Sequence, residues 1–272
     1  MGKSKIEWTN KTWNPITGCT EVSPGCDHCY ARDFAERWRG IPGHPYEHGF
    51  DVMLRPERLN DPFTWRKPSK VFVNSMSDLF HKDIPDAFID RVFAVMGATP
   101  QHTYQVLTKR PERMRRYLRD LTTERMLVAM RDGMTLPGTM PFPNVWLGVS
   151  IESNDYAWRA DMLREAPAAV RFLSVEPMLG PVDAVDLAEL DWVICGGESG
   201  HGARPMSGTW ARDLRDRCAA AGVAFFFKQL GSVLAKESGI RGKGDNIATF
   251  PADLRVRDYP TPPIILPGLA RA

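Results

Sequence analysis

Three of the chain's five cysteines, Cys19, Cys26 and Cys29, fall in the stretch GCTEVSPGCDHCYA (18–31) with the spacing C-x6-C-x2-C. An odd set of thiols matches neither disulfides, which use pairs, nor the usual four-ligand structural zinc site. Thiolates are soft ligands that suit zinc, copper(I) and iron–sulfur clusters. Three on one loop can hold three irons of a [4Fe–4S] cluster and leave the fourth iron open to a small molecule. The alternative is zinc: His44 or His81 would complete a Cys3His site in a zinc-stabilised nucleic-acid-binding protein without redox activity. His28, adjacent to Cys29, is poorly placed to join the same ion. Cys195 sits in an apolar run, and Cys218 shares a helix face with Trp210, Leu214 and Ala221, so both read as packing residues.

The loop must be carried by regular elements. Apolar runs predict strands at 70–75, 103–108, 144–151, 170–176, 191–197 and 223–231, with a first strand near KTWNPITG, just before the cysteines. Between them lie helical patterns. Ala31, Phe34, Ala35 and Trp38 give a short amphipathic helix ended by Gly40 and Pro42. A second helix follows Asp83 as cap, with Pro85 early in it and Phe88, Val92 and Val95 on one face. Further helices are predicted over 111–121, 155–166 and 209–222, the last closed by Gly222. Residues 41–69 read as a long connection and 132–144 as an insertion. Strands alternating with helices imply parallel pairing through right-handed crossovers. Six or seven units fit an α/β partial (β/α)6-type TIM barrel over residues 1–231, with a C-terminal extension, 232–272, packing on it. An open doubly wound sheet shares the same pattern.

Both architectures put their active site beyond the carboxyl ends of the strands. Those ends carry Asn74, Ser75, Ser77 and Asp78; Thr108, Lys109 and Arg110; Ser150 and Glu152; Ser174 and Glu176; Glu198 and Ser199; and Lys228 and Gln229. Any one of them is an ordinary loop residue. Together they predict a polar cavity lined by all the strands. Ser150 and Glu152 share a face at period two, and Glu176 lies inside an apolar run before Pro177.

The composition is that of a globular domain, 43% hydrophobic and 25% charged over 272 residues. A net charge of +2 excludes a strong global field. No 18-residue apolar run predicts a membrane span, and the first residues lack a signal core, so a cytoplasmic location is expected. In a reducing compartment, clustered cysteines bind metal more often than they pair. Lys109 and arginines 110, 113, 115, 116, 119, 125 and 131 read as a solvated helix face or as phosphate contacts. Trp8, Trp13, Trp38 and Phe80 read as core or as base-stacking side chains.

The cysteine loop resembles the cluster loop of radical S-adenosylmethionine (radical SAM) enzymes, whose usual spacing is C-x3-C-x2-C; here the first gap is longer. IEWTNKTWNPITGC, FVNSMSDLFH, VLTKRPERM, LGVSIES, SVEPMLGP, VICGGESG and FFFKQLG, in that order, are similar to a family of phage and prophage radical-SAM-like proteins with a three-cysteine motif. The resemblance implies a partial barrel with the cluster loop after the first strand and Cys19, Cys26 and Cys29 as ligands of the [4Fe–4S] cluster. It implies S-adenosylmethionine beside Ser75, Ser77, Asp78, Lys109, Ser150 and Glu152, and generation of a 5′-deoxyadenosyl radical. With the cofactor at the early strand ends, the substrate falls near Glu176, Glu198 and Lys228, the catalytic candidates. An external electron donor, a three-Cys-motif partner protein, a phage-infected or prophage-bearing host, and nucleic-acid modification or repair are the further expectations the resemblance adds.

Overall fold

Seven short apolar runs build one all-parallel sheet in the computed structural model, which describes residues 4–129 and 140–261. The nine strands among the described residues are β1 (Lys11–Trp13), β2 (Ile16–Thr17), β3 (Met53–Leu54), β4 (Lys70–Val73), β5 (Thr103–Thr108), β6 (Val145–Ser150), β7 (Val170–Val175), β8 (Trp192–Gly196) and β9 (Ala224–Gln229). The large sheet runs β1-β4-β5-β6-β7-β8-β9, and its order never reverses. Right-handed crossovers between successive neighbours put the connecting helices on one side. The sheet therefore curls into a half-barrel. A doubly wound sheet would reverse direction at a switch point. β2 and β3 form a separate antiparallel ribbon.

Alternation along the strands divides the side chains between two layers. Val71, Val73, Val106, Leu147, Leu173, Val193 and Phe225 face outward into a core shared with Phe88, Ile89 and Phe93 of α2 (Asp86–Ala98). Phe72, Trp146, Phe172, Trp192, Ile194 and Phe226 face the concave side. Trp8 enters from the segment before β1 and fills that hollow, its ring 4.6 Å from Phe72 and 6.1 Å from Trp192. Gly148 makes room in this layer, because a Cβ there would stand 2.5 Å from the Phe172 ring.

The remaining helices are α1 (Tyr30–Glu36), α3 (Pro111–Arg119), α4 (Thr123–Ala129), α5 (Trp158–Arg164), α6 (Gly208–Ala221) and α7 (Ser232–Glu237). Several boundaries differ from expectation. Pro85 is the N-cap of α2 rather than a residue inside it, and Asp83 does not cap the helix. The apolar face expected at α1 splits: Ala31 and Ala35 are buried, while Phe34 and Trp38 are 44% and 37% exposed. The helix stops at Glu36, and these two rings meet Tyr46 and His44 of the following connection instead of the core. That connection also holds β3. Residues 132–139 of the expected insertion, with Arg131, lie outside the described residues.

Residues 232–261 pack on the half-barrel. Phe250 meets Phe227 at 5.0 Å, and backbone bonds from Phe227 N to Val256 O and from Asp258 N to Phe225 O cover the β9 edge. The gap between β9 and β1 is bridged by Glu7, Lys243 and Tyr259. Lys243 bonds Glu7 at 2.8 Å, and Tyr259 packs on Trp192 while Lys70 stands over its ring. No helix among the described residues is long and apolar enough to cross a membrane.

Overpacking at Gly148 tests the inner layer. Gly148→Ala is expected to cost about 1–3 kcal/mol in a chemical denaturation experiment, and Phe172→Leu in the same chain should recover most of it. Equal stability of Gly148→Ala and the wild type would show that the Phe172 ring is free to move.

Candidate functional site

The concave face changes character along each strand. Two residues beyond Phe72 stands Asn74, two beyond Leu107 stands Lys109, and two beyond Phe172 stands Ser174, followed by Glu176. Ile194 is likewise succeeded by Glu198 four residues on, and Phe226 by Lys228 after two. The strands are parallel, so this polar ring gathers at one end of the half-barrel, above the aromatic plug. It lines a cavity of about 400 Å³ with Ile6, Trp8, Phe72 and Leu107 as the apolar floor.

Cys19, Cys26 and Cys29 line the same cavity, all partly buried and none in a disulfide. Their loop is tied down at both ends. Gly18, at φ 86°, lies against the backbone of Asp51, where a Cβ would stand 2.0 Å from the Asp51 carbonyl oxygen. Its N–H donates to Met76 O at 2.9 Å, and Cys19 N to Phe50 O at 3.2 Å. Arg110 donates to Cys19 Sγ at 3.4 Å, to Asp78 at 2.9 Å and to Thr20 O at 2.8 Å. Arg204 donates to Pro24 O at 2.7 Å and pairs with Asp27 at 2.9 Å and Glu198 at 2.6 Å. Gly25 presses on the Glu152 carboxylate, which accepts from Ser23 Oγ at 2.8 Å. Tyr30 OH donates to Ser75 O at 2.6 Å.

The structure gathers most of the expected residues and redistributes their work. Ser75, Ser77, Asp78, Lys109 and Ser150 line the cavity, as do Glu176, Glu198 and Lys228. Asp78, however, is taken up by Arg110, Thr108 Oγ1, Lys109 N and Phe80 N, and Ser77 Oγ donates to Ile16 O. Glu152 does not line the cavity. It is 1% exposed and bonds Lys109, Arg159 and Ser23 behind the cysteine loop. Glu176 and Lys228 pair at 2.5 Å on the side of the later strands.

The residues of the zinc alternative point elsewhere. His81 is buried, and its Nδ1 accepts from Asp83 N, which leaves Nε2–H for Thr20 Oγ1 at 2.8 Å. His44 stacks on Trp38 at 4.1 Å and accepts from Tyr46 N. Among the described residues, no three His, Cys, Asp or Glu side chains stand together in single-ion geometry. Arg113, Arg115 and Arg125 pair with Asp86, Glu165 and Asp90, so the arginine-rich stretch is laced with carboxylates. Trp13 and Phe80 are buried core, and Trp8, also buried, forms part of the cavity floor.

Charge follows from burial here. Desolvation, reinforced by Asp78, pushes the Cys19 thiol up to about 11 against the pull of Arg110. Burial also raises Cys29. Burial pushes the Glu198 carboxyl up as well, but hydrogen bonds from Arg204, through its side chain and backbone, and from His28 outweigh it and hold the group at about 2.

Residues 3–252 match the family profile described as "Protein of unknown function (DUF5131)", and the chain belongs to that family. No curated protein and no solved structure matches it.

The clamp on the cysteine loop has a pH signature. A depressed carboxyl contributes stability that is present above its unfolded value, about 4.5, and lost as pH falls toward about 2. Arg204→Met should cost about 2 kcal/mol at neutral pH, and that deficit should shrink as acid protonates Glu198 in both proteins. Urea denaturation across the acid range checks this; a deficit that stays constant down to the lowest pH would mean Arg204 acts by packing alone.

Proposed function

We propose that this DUF5131 protein is a radical SAM enzyme. In this reading, Cys19, Cys26 and Cys29 hold a [4Fe–4S] cluster, and S-adenosylmethionine binds in the strand-end cavity. One observation carries it: three free thiols, on a loop that follows the first strand of a parallel half-barrel, open into the cavity where the polar strand ends converge. The donor set fits the group. Thiolates are the ligands of iron–sulfur clusters, and the other two cysteines are buried in the outer core, with Cys195 Sγ 3.7 Å from Met178 Sδ. When bound, cluster and S-adenosylmethionine supply reductive cleavage of a carbon–sulfur bond and, from it, hydrogen abstraction, with the electron coming from an external donor.

The chain's own part is positioning and tuning. Arg110 holds a guanidinium against Cys19 Sγ, a contact that favours the thiolate and directs the loop. Lys109, oriented by Glu152, brings a cation to the cavity wall where a carboxylate can be met. The aromatic floor keeps water from below. The Glu176–Lys228 pair faces the remaining space, where it can orient a polar substrate or carry a proton. A nucleic-acid component is the substrate class this reading favours.

Anaerobic reconstitution should give a brown protein containing iron and sulfide that releases 5′-deoxyadenosine under strong reductant. Changing Cys19, Cys26 or Cys29 singly to Ala should remove both properties with the far-UV circular dichroism unchanged. A variant that keeps its full iron and sulfide eliminates that cysteine as a ligand, and a reconstituted wild type that neither binds nor cleaves S-adenosylmethionine overturns the reading.

Glu176→Gln and Lys228→Ala should leave cluster content and S-adenosylmethionine binding intact while lowering substrate turnover by at least about 100-fold, the lower side of general acid–base effects. Unchanged turnover in both would place the substrate elsewhere.

A further inference from the structure

The lining of the cavity holds polar atoms that the protein leaves unsatisfied. Asn74 is 2% exposed, and neither its Oδ1 nor its Nδ2 has a partner. Trp8 Nε1 is an unpartnered donor. Gln229 spends its amide nitrogen on Gly197 O at 2.8 Å, and its Oε1 is an unpartnered acceptor. All three residues line the cavity. Each such group costs about 1–3 kcal/mol when buried unmet, and native interiors keep few of them. Asn74 is moreover held in the left-handed region, at φ 63°, by its N–H to Trp13 O and by Ser77 N donating to its carbonyl. Asn accepts that conformation better than most residues. Its terminal torsion is soft, so the amide can turn toward a ligand without moving the backbone.

What lies around these atoms is apolar. Trp8, Phe72, Ile6 and Leu107 form the surface against which a ligand would lie. Asn74 comes from β4 and Gln229 from β9, strands near opposite margins of the curled sheet, so the polar atoms approach the floor from two sides. A planar ligand with an apolar face and a hydrogen-bonding edge matches this arrangement. A side-chain amide offers an acceptor beside a donor, the complement of an amino group next to a ring nitrogen. Adenine and cytosine carry that edge.

We propose that this floor and its polar margin form a nucleobase subsite, in which the Asn74 amide pairs with the donor–acceptor edge of a base packed against Trp8 and Phe72. Trp8 Nε1 and Gln229 Oε1 offer one donor and one acceptor to the rest of the base or to its sugar. The subsite names the substrate class of the proposed enzyme: a nucleoside, or a nucleotide turned out of a strand. It rests on that function in one respect, that the base is the substrate's and not the adenine of S-adenosylmethionine. Gln229 directly follows Lys228, whose pair with Glu176 faces the space proposed for the substrate, and this assigns the base to the substrate.

The test is binding, read on the full chain both as purified and after anaerobic reconstitution. Adenosine, cytidine, guanosine and thymidine are titrated by tryptophan fluorescence and saturation-transfer NMR, with and without saturating S-adenosylmethionine. Adenosine or cytidine should bind at one site per chain whether or not S-adenosylmethionine is present. Asn74→Gly and Asn74→Asp both tolerate the left-handed backbone and should weaken that binding by about 10-fold or more, the loss expected for a paired hydrogen bond, with the Gly variant melting at or above the wild type and the Asp variant below it, because its carboxylate is buried without a partner. Binding of adenosine alone, displaced by S-adenosylmethionine, would make this the cofactor's own base site and overturn the substrate assignment. No nucleoside binding, or binding indifferent to Asn74, would overturn the subsite itself. Because nucleoside binding is read without turnover, a failure of 5′-deoxyadenosine release would count against the enzyme reading and leave the subsite standing.

Discussion

A carboxylate with almost no contact with solvent has to be met by positive charge and hydrogen bonds, or its group will not stay ionised. Glu152 is such a carboxylate, and much of the site is arranged around its needs. Lys109 reaches it from the end of β5, Arg159 from α5 and Ser23 from the cysteine loop, while Gly25 gives the loop backbone room to approach. One buried charge thus sets the position of a strand end, a helix and the loop that carries the thiols. Two further buried carboxylates repeat the device: Glu198, beyond β8, with Arg204 and His28, and Asp78, beyond β4, with Arg110. The cysteine loop hangs among these anchors and contributes little apolar burial of its own.

The half-barrel was legible because its signals are local. Apolar runs, their alternation with helical patterns and the polar residue at each run's end are all written within a few positions. The anchors were not legible for the opposite reason. Arg204 meets Pro24 and Asp27 across most of the chain, and no periodic pattern announces it. Glu152 was expected to share the cavity with Ser150, but β6 ends at Ser150, and strict alternation ends with it. Phe34 and Trp38 were assigned inward because the helical spacing holds on paper; α1 ends at Glu36, before the second ring is reached. Asn74 stood among the strand-end residues, yet nothing in its neighbours tells of a left-handed backbone or of an amide without partners.

Two requirements meet on the concave face. Its lower layer must be filled because the sheet does not close, and its upper layer must stay polar for the cavity to be of use. A single strand satisfies both within four residues, as in Phe172, Ser174 and Glu176. Substitutions in the lower layer therefore alter the floor on which a ligand rests as well as the stability of the sheet.

The bridging of the open seam by Glu7, Lys243 and Tyr259 bears on how the protein comes into being. A ribosome releases Trp8 long before Phe172 and Trp192, the partners that bury it, and longer still before the segment that seals the seam. Until residue 259 has emerged, the β9 margin lacks its cover and the indole of Trp192 lacks the acceptor it has in Asp258 O. Such distant closure makes for slow maturation and exposes an unpaired strand margin to neighbouring chains. The nascent protein is open to self-association until residue 259 has emerged, and chaperone capture would matter most before then.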